Sequence, residues 1–505
     1  MSYRLYPVTP ALPACHDYTV SVNGTEVVTD TARVSAVPFN RRWPGHQRDI
    51  SQSEPIQFLS LATDEPLDFE VIPTGDFDPA AVRVLPRSLG ITPKIEGGRI
   101  RFTLPRAAYF TVEAYGRNRA LHVFADPMPT YDVDKSAPGV RYFGAGEHDV
   151  GYIELHSNET LYLDEGAVVY ACIYAKDAKN VRILGRGILD NSRNKEKILF
   201  EASAEGNREA IKNAKRRHTV QLEYCTGVEI DGITIRDSLV YNVRPLACRD
   251  LKIKNVKIIG CWRYNSDGID MHNCEGVHIS DCFIRTFDDS ICIKGFDCYY
   301  EGDVEAAVRA AMHRNGENYE SFRCVLVERC VIWNDWGRAL EIGAETRAEE
   351  ICNVTFRNCD LIHLTHPALD CQNVDYADVH DVLFEDIRVE MEERFCKPLI
   401  QRSDSEVYVN PDPEYRPPVI CVEVRYHHEY SAGGARRGKN HDITFRNVAL
   451  YGDKKPLLKF AGYSEEFGTD NIFVKGLTHN GAPVRSLDAC ECTMNEFCSN
   501  IRVEE

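Results

Sequence analysis

The chain has 505 residues, with 59 Lys and Arg against 77 Asp and Glu, a formal net charge of −18. A composition of 43% hydrophobic and 10% aromatic residues is that of a globular protein and argues against bulk disorder. The acidic balance argues against a nucleic-acid binder, which needs a basic face, and disfavours polyanionic ligands unless local cations reverse the field. No apolar run approaches the roughly 18 residues of a membrane span. The first twenty residues lack a secretory-signal pattern, so the expected location is the cytoplasm, or outside the cell if a leader precedes the chain. The 19 cysteines are odd in number and form no CxxC pairs in a metal-ligand arrangement. They are expected to be reduced and mostly buried.

The first third alternates by two. Tyr18 to Val22, Asn23-Gly24 and Glu26 to Val28 read as a hairpin on a preferred tight-turn dipeptide. Strand patterns follow at Ile56 to Ser60, Leu67 to Ile72, Val82 to Leu85, Ile100 to Leu104, Tyr109 to Ala114 and Leu121 to Phe124. Short strands at close spacing without helical periodicity predict a β-sandwich over residues 1–128. The proline-bearing stretch Asp126 to Gly144 reads as the linker to a second domain, 129–505.

That second domain repeats itself. Fragments starting at Asn180, Gly227, Asp250, Gly276, Cys324, Asn353, Asp381 and Asp442 share one pattern: a short alternating strand, a bend with Asn, Asp or Gly, and a second strand. Uninterrupted starts lie 23, 26, 29 and 28 residues apart. Such a period without a helix per unit predicts a solenoid, and the absence of L-x-x-L-x-L points to a parallel β-helix. Cys261, Cys282, Cys330 and Cys359 then fall at comparable places as interior rungs. One insertion, Asp303 to Asn315, has helical spacing of apolar residues and could wall a cleft or merely decorate the surface.

The chemistry concentrates in Tyr264-Asn265-Ser266-Asp267-Gly268-Ile269-Asp270 and, one coil later, Phe287-Asp288-Asp289-Ser290. Asp267 and Asp288 are 21 residues apart. On neighbouring coils about 4.8 Å apart their carboxylates must cluster. Like charges that close raise at least one pKa, placing a proton donor beside an ionised base, as glycosidic cleavage requires. Both Asp288 and Asp289 can reach one site only at a bend, because neighbours on a straight strand face opposite ways.

The pattern N-[ST]-D-G followed 21 residues later by D-D resembles the signature of the polygalacturonase family of glycoside hydrolases (family 28). The dextranase and isopullulanase family (family 49) shares the aspartate triad and carries an N-terminal β-sandwich. The resemblance runs from about Tyr142 to the end, with YFGAGEH, LYLDEGAVV and NVRILGRGILD as opening coils. It implies an all-β fold, a right-handed parallel β-helix of the pectin-lyase type behind the sandwich. It also implies an inverting hydrolase in which Asp288 is the general acid while Asp267 and Asp289 position and deprotonate the water. No metal or other cofactor is expected, and the partner is an oligo- or polysaccharide.

Two departures bear on the substrate. The family motif G-H-G-L-x-I-G reads here Gly337-Arg338-Ala339-Leu340-Glu341-Ile342-Gly343, with arginine for histidine. The R-I-K motif that grips a uronate should fall on the next coil, which reads Ala368-Leu369-Asp370. With the net charge, this predicts a neutral sugar in place of polygalacturonate. Candidate substrate contacts are Arg338, Lys294, Arg244, Glu341 and Asp370, with Trp336 and Tyr264 as stacking rings; Trp262, Tyr299 and Trp333 flank the same coils, Trp333 reading as core. His363 and His366 read as structural. The competing classes are a Ca²⁺-dependent polysaccharide lyase, whose aspartates would bind the cation, and a non-catalytic glycan-binding solenoid.

Overall fold

The structure, a computed structural model, describes residues 3–36, 40–42, 50–194, 218–263, 265–296, 304–391, 399–401, 414–428, 430–431 and 436–505. Period-two alternation builds its N-terminal sheets. Tyr18–Val22 and Thr25–Val27 pair as the expected hairpin around Asn23 and Gly24, both at positive φ (48° and 78°). With Leu67–Pro73, Arg99–Leu104 and Lys94–Glu96 they form one sheet. Tyr3–Leu5, Asp30–Ser35, Ser53–Thr63, Arg83–Leu85, Ala108–Glu113 and Leu121–Asp126 form the other. Val20, Phe69, Phe102, Phe110 and Val123 fill the space between the two.

The second sheet is buried on both faces. Tyr109 and Phe124 adjoin Phe110 and Val123 in sequence, so they point the opposite way. Together with Ile56 and Phe58 they pack on Ile259, Phe283 and Trp333 of the following coils. Polar ties cross the same boundary. Lys257 Nζ donates to both carboxylate oxygens of Asp126 at 3.0 and 3.1 Å, and buried Arg285 pairs with Asp335, which also binds Arg117 at 2.7 Å.

From Val140–Phe143 onward the chain winds as a right-handed parallel β-helix, each strand pairing with its counterpart one coil away. Ile230, Ile253, Ile279, Val327, Phe356, Phe384 and Phe445 form one interior column. Phe384 stacks on Phe356 and Phe445 with centroids 4.7 and 4.8 Å apart, the strand spacing itself. Cys261, Cys282, Cys330 and Cys359 are fully buried rungs. Left-handed residues turn the coils, mostly Asn and Asp, among them Asn255, Asp281, Asn358, Asp386 and Asn447 at φ 52–55°, with Arg329 in the same row at 54°. The short polar side chains of Asn and Asp tolerate that region, and Asn447 Nδ2 donates to Asp386 Oδ1 at 2.9 Å, linking one bend to the next.

The helical insertion is observed at Val304–Met312. Val308 and Met312 pack on Leu246, Ala247 and Phe296, so the helix walls the edge of the sheet that carries Arg244 and Lys294.

Removing the middle ring of the phenylalanine column should be costly. Phe384→Ala is expected to destabilise the helix by about 3–5 kcal/mol, read as a lowered midpoint in calorimetric unfolding. An unchanged midpoint would contradict an interior position for that ring.

Candidate active site

One sheet of the helix carries the acidic residues. Asp270, Cys292, Glu341, Asp370 and Cys421 are register partners on successive strands Ile269–His272, Ile291–Lys294, Leu340–Ala344, Leu369–Asn373 and Ile420–Val424. Asp267, the Asp288-Asp289 pair and Arg338 occupy the bends just before the first three of these strands.

Those bends are pinned by buried asparagines. Asn242 Nδ2 donates to the Asp267 carbonyl at 2.7 Å, and Asn334 Nδ2 donates to the carbonyls of Asp288 (2.7 Å) and Arg338 (3.1 Å). Glycines let the coils approach. A β-carbon at Gly268 would lie 2.2 Å from the Ser290 carbonyl oxygen, and one at Gly337 would lie 2.3 Å from the Asp289 nitrogen. The bend allows Asp288 and Asp289 to share a site: Asp288 Oδ2 accepts from Asn265 N–H at 3.3 Å, and Asp289 Oδ1 accepts from Arg338 N–H at 3.0 Å.

Lys294 is the hub. Its Nζ lies 3.1 Å from Asp270, 3.3 Å from Glu345, 3.6 Å from Asp289 and 3.8 Å from Asp267. The side chain is almost wholly buried. Burial alone would favour its neutral form, but Asp270 and Glu345 hold it well above the ordinary lysine range.

The carboxylates diverge. Burial, reinforced by Asp270 and Asp288, pushes Asp267 well up despite Lys294. Asp270 is raised by burial to about 7. Burial also acts to raise Asp289, but the Lys294 ammonium, the Arg338 guanidinium and the Arg338 N–H outweigh it and hold that carboxyl below the usual range. The cluster therefore sets a lowered carboxyl beside raised ones, the divergence acid–base chemistry needs.

On the next two coils Arg338 Nε contacts Asp370 Oδ2 at 2.5 Å and Glu341 Oε1 at 3.6 Å. Glu341 is fully buried, accepts from Cys292 Sγ at 3.0 Å and from Gln372 Nε2 at 3.2 Å, and is raised well above its usual range by burial and by Asp289. Asp370 is also raised by burial, against the pull of Arg338.

The structure thus brings together Asp267, Asp288, Asp289, Lys294, Arg338, Glu341 and Asp370. Arg244 lies one coil earlier: its neighbours Val243 and Leu246 pair with Ile269 and His272, which puts it beside Asp270 in the ladder. Trp336 is a correction. It is only 6% exposed, packs in the interior and stacks on Phe287 with centroids 5.7 Å apart, so it offers no ring face to a sugar. The indole belongs to the interior apolar cluster, where burial of its large ring outweighs exposure beside the site. Lys294, expected as a substrate contact, is encircled by the carboxylates of Asp267, Asp270, Asp289 and Glu345. Tyr264 and Tyr299 lie outside the described residues. Trp262 and Trp333 are buried, and His363 is buried against Glu113 at 2.7 Å. Sequence reasoning passed over Asp270, Glu345 and Cys292. Asp270 had a signal, three residues after Asp267 in the same motif.

Residues 148–302 match the family described as Glycosyl hydrolases family 28. Over that segment the chain is similar to polygalacturonases. That segment contains Asp267, Asp270, Asp288, Asp289 and Lys294 and stops before Arg338. A "Probable polygalacturonase" of Vitis vinifera is 33% identical over 86 residues, 17% of this chain and 18% of that protein. A "Polygalacturonase" of Gossypium barbadense is 31% identical over 116 residues, 23% of this chain and 27% of that one. The match thus spans less than a third of either relative's length. Among solved structures, Dex49A from Penicillium minioluteum superposes with a TM-score of 0.60 over 98% of this chain and 96% of its own, at 15% identity, a likeness of fold.

Gly337→Ala should disturb the bend directly, because its methyl has no room beside Asp289. A loss of about 1–3 kcal/mol is expected, measured as a lower thermal midpoint; a variant as stable as the parent would contradict the close approach.

Proposed function

We propose that the protein is a glycoside hydrolase that cleaves an O-glycosidic bond with inversion, by acid–base catalysis from Asp267, Asp288 and Asp289. The observation that carries this reading is the bend cluster around Lys294, which lowers the carboxyl of Asp289 while burial raises that of Asp267 beside it. Asp289, stabilised as the anion, draws the proton from water. Asp267 orients that water from the same ammonium, and Asp288, in the role its family position implies, protonates the leaving oxygen. Lys294 keeps the base charged and never leaves the cluster.

The substrate class follows from charge. Asp267, Asp270, Asp288, Asp289, Glu341, Glu345 and Asp370 outnumber the cations around them, which are Lys294, Arg338, Arg244 beside Asp270 and Arg425 acting on Asp370; Arg338 is already engaged by Asp370. Farther along the same face Lys459 pairs with Glu423 at 2.8 Å and Lys176 with Glu223 at 3.0 Å. A uronate carboxylate would have to displace one of these partners, whereas hydroxyls can share them. A neutral-sugar oligo- or polysaccharide is the reading this supports. The printed names of the plant relatives favour a galacturonide instead, so both substrate types belong in the test.

Asp267→Asn, Asp288→Asn and Asp289→Asn should each lower kcat roughly 10²–10⁴-fold on whichever oligosaccharide is cleaved, with binding retained. Neutral-sugar oligomers should be cleaved in preference to oligogalacturonides, assayed as new reducing ends. Unsaturated, ultraviolet-absorbing products would instead establish the lyase, and full activity in Asp288→Asn would remove that residue from the mechanism.

The hub makes a pH prediction. Lys294 lowers the pKa of Asp289, so Lys294→Met removes that stabilisation and raises it. The acid limb of the pH–rate profile, where the base becomes protonated, should move to higher pH. An unmoved limb in a folded variant would mean that Lys294 does not govern the base.

A further inference from the structure

A second cluster of potential ligands lies on another sheet of the helix. Parallel register sets Cys352 of Glu350–Arg357 beside His380 of Asp378–Glu390, and His380 beside His441 on the following coil. Glu350 precedes Cys352 by two residues and so shares its face. Glu350 Oε2 lies 3.8 Å from His380 Nε2, and one donor atom from each of Glu350, Cys352 and His380 lies within 4.8 Å of the other two.

Each of these groups is already held from behind. Asp381 Oδ2 sits 2.9 Å from His380 Nδ1, so a proton on Nδ1 leaves the lone pair of Nε2 directed at the cluster. Cys352 Sγ accepts from Asn353 Nδ2 at 3.5 Å, while burial and then Glu350 raise the thiol to about 11, so the ion itself must displace its proton. The second oxygen of Glu350 is 3.9 Å from Arg323, leaving Oε2 for the cluster. Cys352 is 4% exposed, while Glu350 and His380 keep side-chain exposures of 35% and 23%, so an ion has access from solvent.

We propose that Glu350, Cys352 and His380 bind a borderline divalent cation of the Zn²⁺ class, with water as a fourth ligand. One thiolate, one imidazole and one carboxylate suit such an ion and its tetrahedral geometry. Bonds of about 2.1 Å to nitrogen and oxygen place those two atoms roughly 3.4 Å apart, close to the observed Glu350–His380 separation. Binding replaces the Cys352 thiol proton, which passes to solvent. The ion joins two consecutive coils, tightening the neighbour-to-neighbour coupling on which a solenoid's stability rests. This site departs from the metal-free reading of the cysteines, because Cys352 and His380 lie 28 residues apart and meet only through the coil repeat.

The test titrates the metal-stripped full chain with Co²⁺ and, in parallel, with Zn²⁺ by calorimetry. The parent should bind one equivalent, with a near-ultraviolet thiolate-to-cobalt band, and Zn²⁺ should raise its thermal midpoint. Cys352→Ser and His380→Gln should each weaken binding about tenfold or more and abolish the thermal shift. Cys324→Ser, which removes an exposed thiol one coil away, should leave both intact. Metal-free midpoints of all variants report folding, and Glu350→Gln gives a third variant should one of the others unfold. Absence of one-equivalent binding overturns the proposal, as does binding unaffected by Cys352→Ser and His380→Gln. A cobalt band lost only in Cys292→Ser would place the ion at the buried Asp289, Cys292 and Glu341 group and would equally overturn it.

Discussion

Coils stacked one strand spacing apart force residues a coil apart in sequence into contact, and the rest of the molecule follows from that constraint. Inside, it turns apolar repeats into continuous columns, such as Phe356, Phe384 and Phe445. At the turns it aligns left-handed Asn and Asp residues into hydrogen-bonded rows. On the outward face that carries Asp270, Cys292, Glu341 and Asp370, it brings like charges together that would otherwise separate. Acids held this closely cannot all ionise, and the proposed chemistry grows from that.

Burial sharpens the effect. Asp267, Asp270 and Glu341 are almost wholly withdrawn from water, so solvent does little to screen their mutual repulsion. Lys294 resolves the conflict unevenly, because it offers one ammonium to four carboxylates. Arg338 resolves it again on the following coils, through its backbone N–H to Asp289 and its guanidinium to Asp370. These contacts make Asp289 the member stabilised as an anion.

Much of this was legible in the sequence, for a physical reason. Alternation by two and the repeated strand–bend–strand unit report directly on which side chains are buried, so the hairpin at Asn23-Gly24 and the interior cysteines could be read from residue type. The spacing of Asp267 and Asp288 matched a coil length, so their clustering could be read as well. What depends on contacts across several coils could not. The four-way pairing of Lys294 joins residues from Asp267 to Glu345, and no local pattern records it. Trp336 read as a surface ring because its neighbours Gly337 and Arg338 belong to the site, yet its side chain turns inward onto Phe287. The double burial of the sheet holding Tyr109 and Phe124 was hidden too, since alternation there marks two apolar faces without naming what covers the second.

Bend aspartates that direct a single displacement by water must invert the anomeric centre. Proton NMR recorded during the first minutes of cleavage, before mutarotation, tests it most directly by the anomeric configuration of the newly formed reducing end. The expected configuration is opposite to that of the bond cleaved. A first-formed product of retained configuration would contradict it.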